Sequence, residues 1–520
     1  MTHSKKNRET CFSLILLQNI DISRYIIHIS LGEEHMKKQL LISILTLSMI
    51  GCSSTTASTK TVKLDPENPV KLKIWHYYNG ATQAEFDTLC DTFNKTEGKE
   101  KGIFVEGYSQ GSVSDLEDAV VAAADKEVGA DELPNIFSTY ADTAYSIQDK
   151  TQFVDLSQYF TKEELDTYVD SFIQEGYINN DDKLYVFPIA KSTEVFLINK
   201  TDFEPFAKEC NITEDDFKTM EGITKVAEQY YEWTDAQTPN IPNDGKAFYG
   251  RDSMSNYFVI GLKQLGTDIF SIDADGNPQV NLPKDKLKRL WDNFYVPYVK
   301  GYFAAVGKFR SDDVKTGTIL AYTGSSSSAM YFPDTVETDE TSRPIEYDIF
   351  SAPIFSDGKD VVVQQGAGMV VTKSSEEEEY ASSVFLKWFT QAENNLSFTA
   401  ASAYLPVQKK AFDSQALETT IADNNLNVQQ KTKDIATFVM DDKSIVNDGY
   451  TMIPFKQAYA ARKILDYNLI DKAQTDKQAI DQAIQNGTSR EQALSNYTND
   501  ATFEEWYTSF KDALQETITQ

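Results

Sequence analysis

Residues 70–93 read VKLKIWHYYNGATQAEFDTLCDTF. Apolar and charged residues alternate through VKLKIW, the period of a half-buried strand, and Tyr77 to Gly80 supply loop chemistry. From 84 to 93 the apolar positions change period, with Phe86, Leu89, Cys90 and Phe93 on one helical face. The segment therefore predicts a strand, a loop and a helix. The same order follows at once, with a strand over 102–108, a helix over 114–125 capped by Ser114, and a strand over 133–138. Repeated units of this kind predict an α/β architecture with a largely parallel sheet, whose ligand crevice lies outside the carboxyl ends of the strands. The loops at those ends, 77–80, 109–112 and 139–145, are rich in Tyr, Ser, Asn and Asp. Such side chains stack on sugar rings and bond sugar hydroxyls, although a chain with 27 tyrosines places some in many loops.

Upstream, MKKQLLISILTLSMIGC at 36–52 has a basic pair, an apolar run too short to span a bilayer, and a small residue before cysteine. It resembles a bacterial lipoprotein signal, which implies cleavage before Cys52, acylation of its thiol and a membrane anchor. Met49 and Ile50 stand where such a box usually has Leu and a small residue. On this reading residues 1–35 are a spurious or untranslated extension, 36–51 the signal, and the Ser/Thr-rich 52–69 a flexible tether.

The chain has 520 residues and a formal charge of −30, so nucleic acid is excluded as a natural partner and contact with anionic lipid is expected through acyl chains alone. Past the signal, His76 is the one histidine, which rules out histidine zinc clusters and leaves little for nucleophile–histidine catalysis. No cofactor, metal or catalytic residue is expected. Cys90 and Cys210 read as two buried thiols or one bridge. Asp273 to Asn277 is read as a β-turn rather than a calcium loop, because its glycine comes too early. Ser374-Ser375 followed by four glutamates is read as a helix start, and Phe385, Trp388 and Phe389 as core.

KLYVFPIA at 183–190 and VFLINK at 195–200 resemble the central segment of the maltose-binding-like (family 1) solute-binding proteins of ABC importers. VDLS at 154–157, GTILAYTGSSSSAM at 317–330, GAGMVV at 366–371 and AYLPV at 403–407 follow in that family's order. Asp182 and Ala403 stand where the family commonly has glycine, and the tail from 413 carries no usable motif.

The resemblance implies a two-lobed periplasmic-binding-protein-like fold with a hinge crossed about three times, near 191–194, 353–358 and 409–413, and a ligand cleft between the lobes. Lobe 1 is expected to comprise 70–190 and 356–412, and lobe 2 191–355 and 413–520. It also implies a monomer that closes on an oligosaccharide or a glycerol phosphate type of solute and presents it to membrane permease subunits. Matching the motifs residue by residue gives Tyr77, Tyr78, Asn79, Tyr140, Asp142, Ser192, Arg251, Ser253, Ser325, Ser326, Gly366 and Tyr404 as ligand contacts. Arg251 raises the phosphate option, since a guanidinium binds phosphate through two parallel bonds. The rival classes are a glycan-degrading enzyme with paired carboxylates and an adhesin without a small ligand.

Overall fold

The computed structural model describes residues 59–519 except 180, 339 and 340. The expectations for 1–35, the signal, Cys52 and the tether up to 58 lie outside the described residues. From Thr59 onward the chain is docked rather than free: the Lys60 amide donates to the Gln158 carbonyl (2.8 Å) and its ammonium pairs with Glu376 (2.9 Å).

Two main sheets organise the molecule. Their strands are β1 (Val70–His76), β2 (Ile103–Ser109), β3 (Ile136–Thr139), β4 (Val186–Phe187), β5 (Glu194–Asn199), β6 (Tyr249–Arg251), β7 (Ala321–Ser325), β8 (Tyr347–Ser351) and β9 (Gly368–Val371). The first sheet has the order β2-β1-β3-β9-β4 and the second β8-β5-β7-β6. Strand β1 runs parallel to β2 in register from Val70↔Ile103 to His76↔Ser109, and parallel to β3. The expectation of a largely parallel sheet holds there for the opening units. Strand β9 runs antiparallel to β3 and β4, because it re-enters this sheet on the way back from the other lobe. The second sheet departs further: β5 is antiparallel to both β8 and β7, and only the β6–β7 pair is parallel.

The strand faces follow the sequence periods. Along β1, Leu72 and Ile74 are buried while Lys71 and Lys73 are exposed. Strand β5 is buried throughout, as expected of an apolar run between two covered faces. Helix α1 (Gly80–Lys95) buries Phe86, Leu89, Cys90 and Phe93 over the first sheet, each large side chain contributing about 1.5–3 kcal/mol. Helix α2 (Val113–Ala124) starts one residue earlier than the sequence suggests. Its cap is Ser112, whose hydroxyl accepts from the Asp115 amide while the Asp115 carboxylate accepts from the Ser112 amide. Helix α3 (Ala141–Ile147) follows β3 with Tyr140 at its cap position, and α4 (Met254–Gln264) follows β6. Ser375 caps Glu376–Phe389, residues 273–277 form the turn between two short strands, and Phe385, Trp388 and Phe389 are core. Cys90 and Cys210 are both free; Cys210 is only partly buried, near the end of its own helix.

Three passages meet at the hinge. Lys191 pairs with Leu405 and Ser192 with Gln365, and Val362–Val363 pair with Gly449–Tyr450. The first passage runs through Lys191 and Ser192. The second lies beyond 353–358, near Gln364 to Ala367, because Ile354 still pairs with Thr219 and Phe355 belongs to the core of the second lobe. The third lies near 449–455 rather than at 409–413. Helices α5 (Ser414–Asp423) and α6 (Gln430–Asp442) put Leu417, Ile435, Val439 and Met440 into the cluster that holds the first sheet, with α6 also packing on the short helix after β7, so the tail is not confined to the second lobe. The rest of it includes a helix over Asp500–Thr519 and the long helix α7 (Ala458–Gln485), whose stripe of Ala461, Leu465, Leu469 and Ala473 packs on α4. The first turns of α7 also reach α3 of the first lobe.

Candidate functional site

The carboxyl ends of β1 and β3 face those of β6 and β7 across a cavity of about 770 Å³. Of the twelve contacts expected from the sequence, Tyr77, Tyr78, Asn79, Tyr140, Ser192, Arg251, Ser253, Ser325 and Tyr404 line it. The strand ends place these loops there because backbone pairing stops at His76 and Thr139 and leaves the following residues to turn outward.

An aromatic wall comes from the first lobe. The hydroxyls of Tyr404 and Tyr77 lie 3.1 Å apart, and the Tyr404 ring meets Tyr78 edge-on at 6.0 Å. Behind them His76 is fully buried; its Nδ1 accepts from the Tyr78 amide and burial lowers its pKa to about 4. From the opposite lobe Tyr331, half exposed, donates to Asn79 Oδ1 at 2.8 Å, a bond that crosses the mouth of the cleft.

Three expected contacts are placed elsewhere. Asp142 is held on Arg462 of α7, whose Nε lies 2.9 Å from Asp142 Oδ2 and whose Nη2 lies 2.6 Å from Glu117 Oε1. Ser326 is buried under the cleft, with its amide donating to the Thr193 carbonyl (2.7 Å), because the short helix after β7 turns it inward. Gly366 sits in the hinge at φ +97°, where its carbonyl accepts from Lys191 Nζ (3.0 Å). That lysine is itself paired in the interior with Glu175 at 2.6 Å.

Arg251 lines the cavity but is already engaged. Its Nη2 donates to Glu194 Oε2 (2.7 Å), its Nε donates to the Ser253 carbonyl (3.0 Å), and the guanidinium lies over Tyr257. Asn256 completes the clamp by donating to Glu194 Oε1 and Gln365 Oε1. Two of the three guanidinium nitrogens of Arg251 are thus turned to protein acceptors before any ligand arrives. Arg310 is likewise tied to Asp313 and its amide donates to Asp252. Burial raises the Asp252 carboxyl to about 6, against the pull of Arg310.

Sequence reasoning placed Asp252 in the matched loop 251–253 but missed Arg310, Tyr331, Arg462, Asp466 and Tyr467. Tyr331 adjoins a motif already recognised, so a wider window would have found it. Arg462 and Asp466 occupy successive turns of a helix whose only signal is amphipathic spacing. Among the described residues no cluster of His, Cys, Asp or Glu fits a metal ion, and no helix is long and apolar enough to cross a membrane.

Residues 88–426 match the family model described as bacterial extracellular solute-binding protein. No curated protein matches the chain in sequence. Among solved structures, the chain is similar to the cyclic alpha-maltosyl-1,6-maltose binding protein from Arthrobacter globiformis (TM-score 0.60, 17% identity, 87% of this chain and 99% of that one). It is also similar to UgpB from Mycobacterium tuberculosis, solved with glycerophosphocholine (TM-score 0.58, 16% identity, 87% and 100%). The maltodextrin-binding MalE domain from Bdellovibrio bacteriovorus, bound to maltotriose, gives 0.56 at 15% identity over 86% and 100%. At these identities the likeness is one of fold.

Proposed function

The chain belongs to the bacterial extracellular solute-binding proteins, and from that membership we propose that it captures a sugar or sugar-derived solute between its lobes and delivers it to the permease of an ABC importer. One observation carries the reading: a cavity of about 770 Å³ is lined from both lobes by tyrosines, serines and amides, with its guanidiniums already engaged. Such a lining offers ring faces and hydrogen bonds to a polyhydroxylated ligand. A solute touching both walls binds the closed form better than the open one and shifts the population toward it, which is the signal a permease needs.

The same reading makes the protein a binding component without turnover, a monomer in solution, anchored outside the cytoplasm by acyl chains on Cys52. Thermal unfolding against a panel of oligosaccharides, polyols and glycerol phosphate esters tests it, because a ligand bound to the native state raises the unfolding temperature by mass action. A saturable shift with the solute recovered unchanged is expected. A cleaved product would support the enzyme instead, and no shift with any member would overturn the proposal. For the anchor, Cys52→Ala is expected to move the protein from the membrane to the soluble fraction; retention on the membrane would refute it.

A further inference from the structure

Beside the main cleft lies a second chamber of about 270 Å³, bounded by both lobes and by hinge residues. Tyr140, Ser253, Asn256, Gln365 and Asp466 line both spaces, so the chamber continues the cleft past the Tyr140 ring. Its chemistry is different. Aromatic walls give way to the carboxylates of Glu117, Asp142, Glu175 and Asp466, with Gln364 at the hinge end.

The cations present are mostly committed. Arg462 bridges Glu117 and Asp142, and Lys191 is bonded to Glu175. Lys463, the remaining cation of the lining, lies over the Tyr459 ring. Two acceptors remain. Asp466 uses Oδ1 to accept from the Ser255 amide (2.8 Å) and has no ion pair among the described residues. Gln364 is 3% exposed, and while its Nε2 donates to the Ser171 carbonyl and Glu175, its Oε1 has no partner among the described residues. A buried amide oxygen without a donor is costly to maintain and is the mark of a site completed by something else.

We infer that this chamber is a subsite for a protonated amino group of the ligand, held by the Asp466 carboxylate, with the buried Gln364 amide at the hinge end. The inference rests on the reading of the main cleft as a solute site and narrows its ligand to an amine-bearing sugar or polyol. An ammonium brings three donors and a positive charge to a lining whose unused groups accept. The sugar body occupies the aromatic wall at Tyr77, Tyr78 and Tyr404, and the amine passes Tyr140.

The test is titration calorimetry of the purified protein with matched pairs: glucose oligosaccharides of two to four units and their glucosamine counterparts. The expected result is at least about tenfold tighter binding of the amino member at pH 7, a preference that shrinks with added salt. Asp466→Asn keeps the acceptor for Ser255 and should remove most of that preference, so that the amino and neutral members bind with similar affinity. Neutral sugars that bind as well as or better than their amino partners would overturn the subsite and leave the solute reading standing. Failure of both members, with no other polyol or sugar shifting the unfolding temperature, would overturn both.

Discussion

His76 offers a measurement in which sign and size both follow from the structure. The imidazole is fully buried, its Nδ1 accepts from the Tyr78 amide at 3.2 Å, and its Nε2 has no partner among the described residues. The rings of Phe86 and Tyr78 stand 4.7 and 5.2 Å away, so a charge placed there meets no compensating group. Burial lowers its pKa to about 4 in the folded state, whereas in the unfolded chain it titrates near the ordinary imidazole value of about 6.5. The unfolded state thus binds the proton first. Stability from this group is complete above pH 6.5, falls as pH drops toward 4, and changes no further below that. At pH 5.0 the loss relative to pH 7.5 amounts to ~2 kcal/mol, from the ratio of the two binding polynomials. Urea unfolding followed by tryptophan fluorescence, with Trp75 adjacent in the chain, measures it at both pH values in the native protein and in His76→Gln, which keeps an acceptor for Tyr78. Asp252 and Glu85, raised by burial to about 6 and about 7, act with the opposite sign but cancel in the difference between the two proteins. Parallel pH profiles for the two would refute the reasoning.

Further outcomes follow from the hinge and the cleft. Arg462→Met strands Glu117 and Asp142 as buried unpaired carboxylates, so the contact between α7 and the first lobe should weaken by ~3 kcal/mol and the ligand-free radius of gyration should grow in small-angle scattering; an unchanged radius would refute a bridging role. Gly366→Ala would set a Cβ 2.8 Å from the Ala190 carbonyl oxygen and 2.9 Å from Lys191 Cα at φ +97°, a strain of about 2 kcal/mol that urea midpoints would detect. Tyr331→Ala removes a half-exposed ring that no core depends on; calorimetry should find at least about tenfold weaker sugar binding with an unchanged unfolding temperature.

The first sheet was readable because its signals are local. Alternation in 70–75 and the helical face of 84–93 each report one surface of one element, and both faces are buried as the pattern requires. Loop residues at the carboxyl ends of the strands were placed correctly for the same reason, since position along a strand fixes which end of the sheet a loop occupies. Local signals fail where partners lie far apart in the chain. The Asp142–Arg462 bond joins residues more than three hundred positions apart, and a loop carboxylate shows nothing in the sequence that distinguishes one aimed at solute from one held by a distant arginine. The tail was unreadable because α5 and α6 have ordinary amphipathic patterns that fit either lobe equally well; only the complementary surface of the first core decides between them.

The arginines around the cleft are committed to the protein before any ligand arrives, whereas Lys308, which also lines the cavity, has no ion pair among the described residues. Arg251, Arg310 and Arg462 come from three separate elements, and each is saturated by carboxylates before any ligand arrives. Their work is structural: Arg251 and Glu194 fix the start of α4 against β5, and Arg462 fixes α7 against α3. Committed in this way, they orient the acceptors around them. What the cleft leaves available is aromatic surface, hydroxyls, unspent acceptors and the Lys308 ammonium, and a polyhydroxylated solute, which both donates and accepts hydrogen bonds, is the chemical complement of that set.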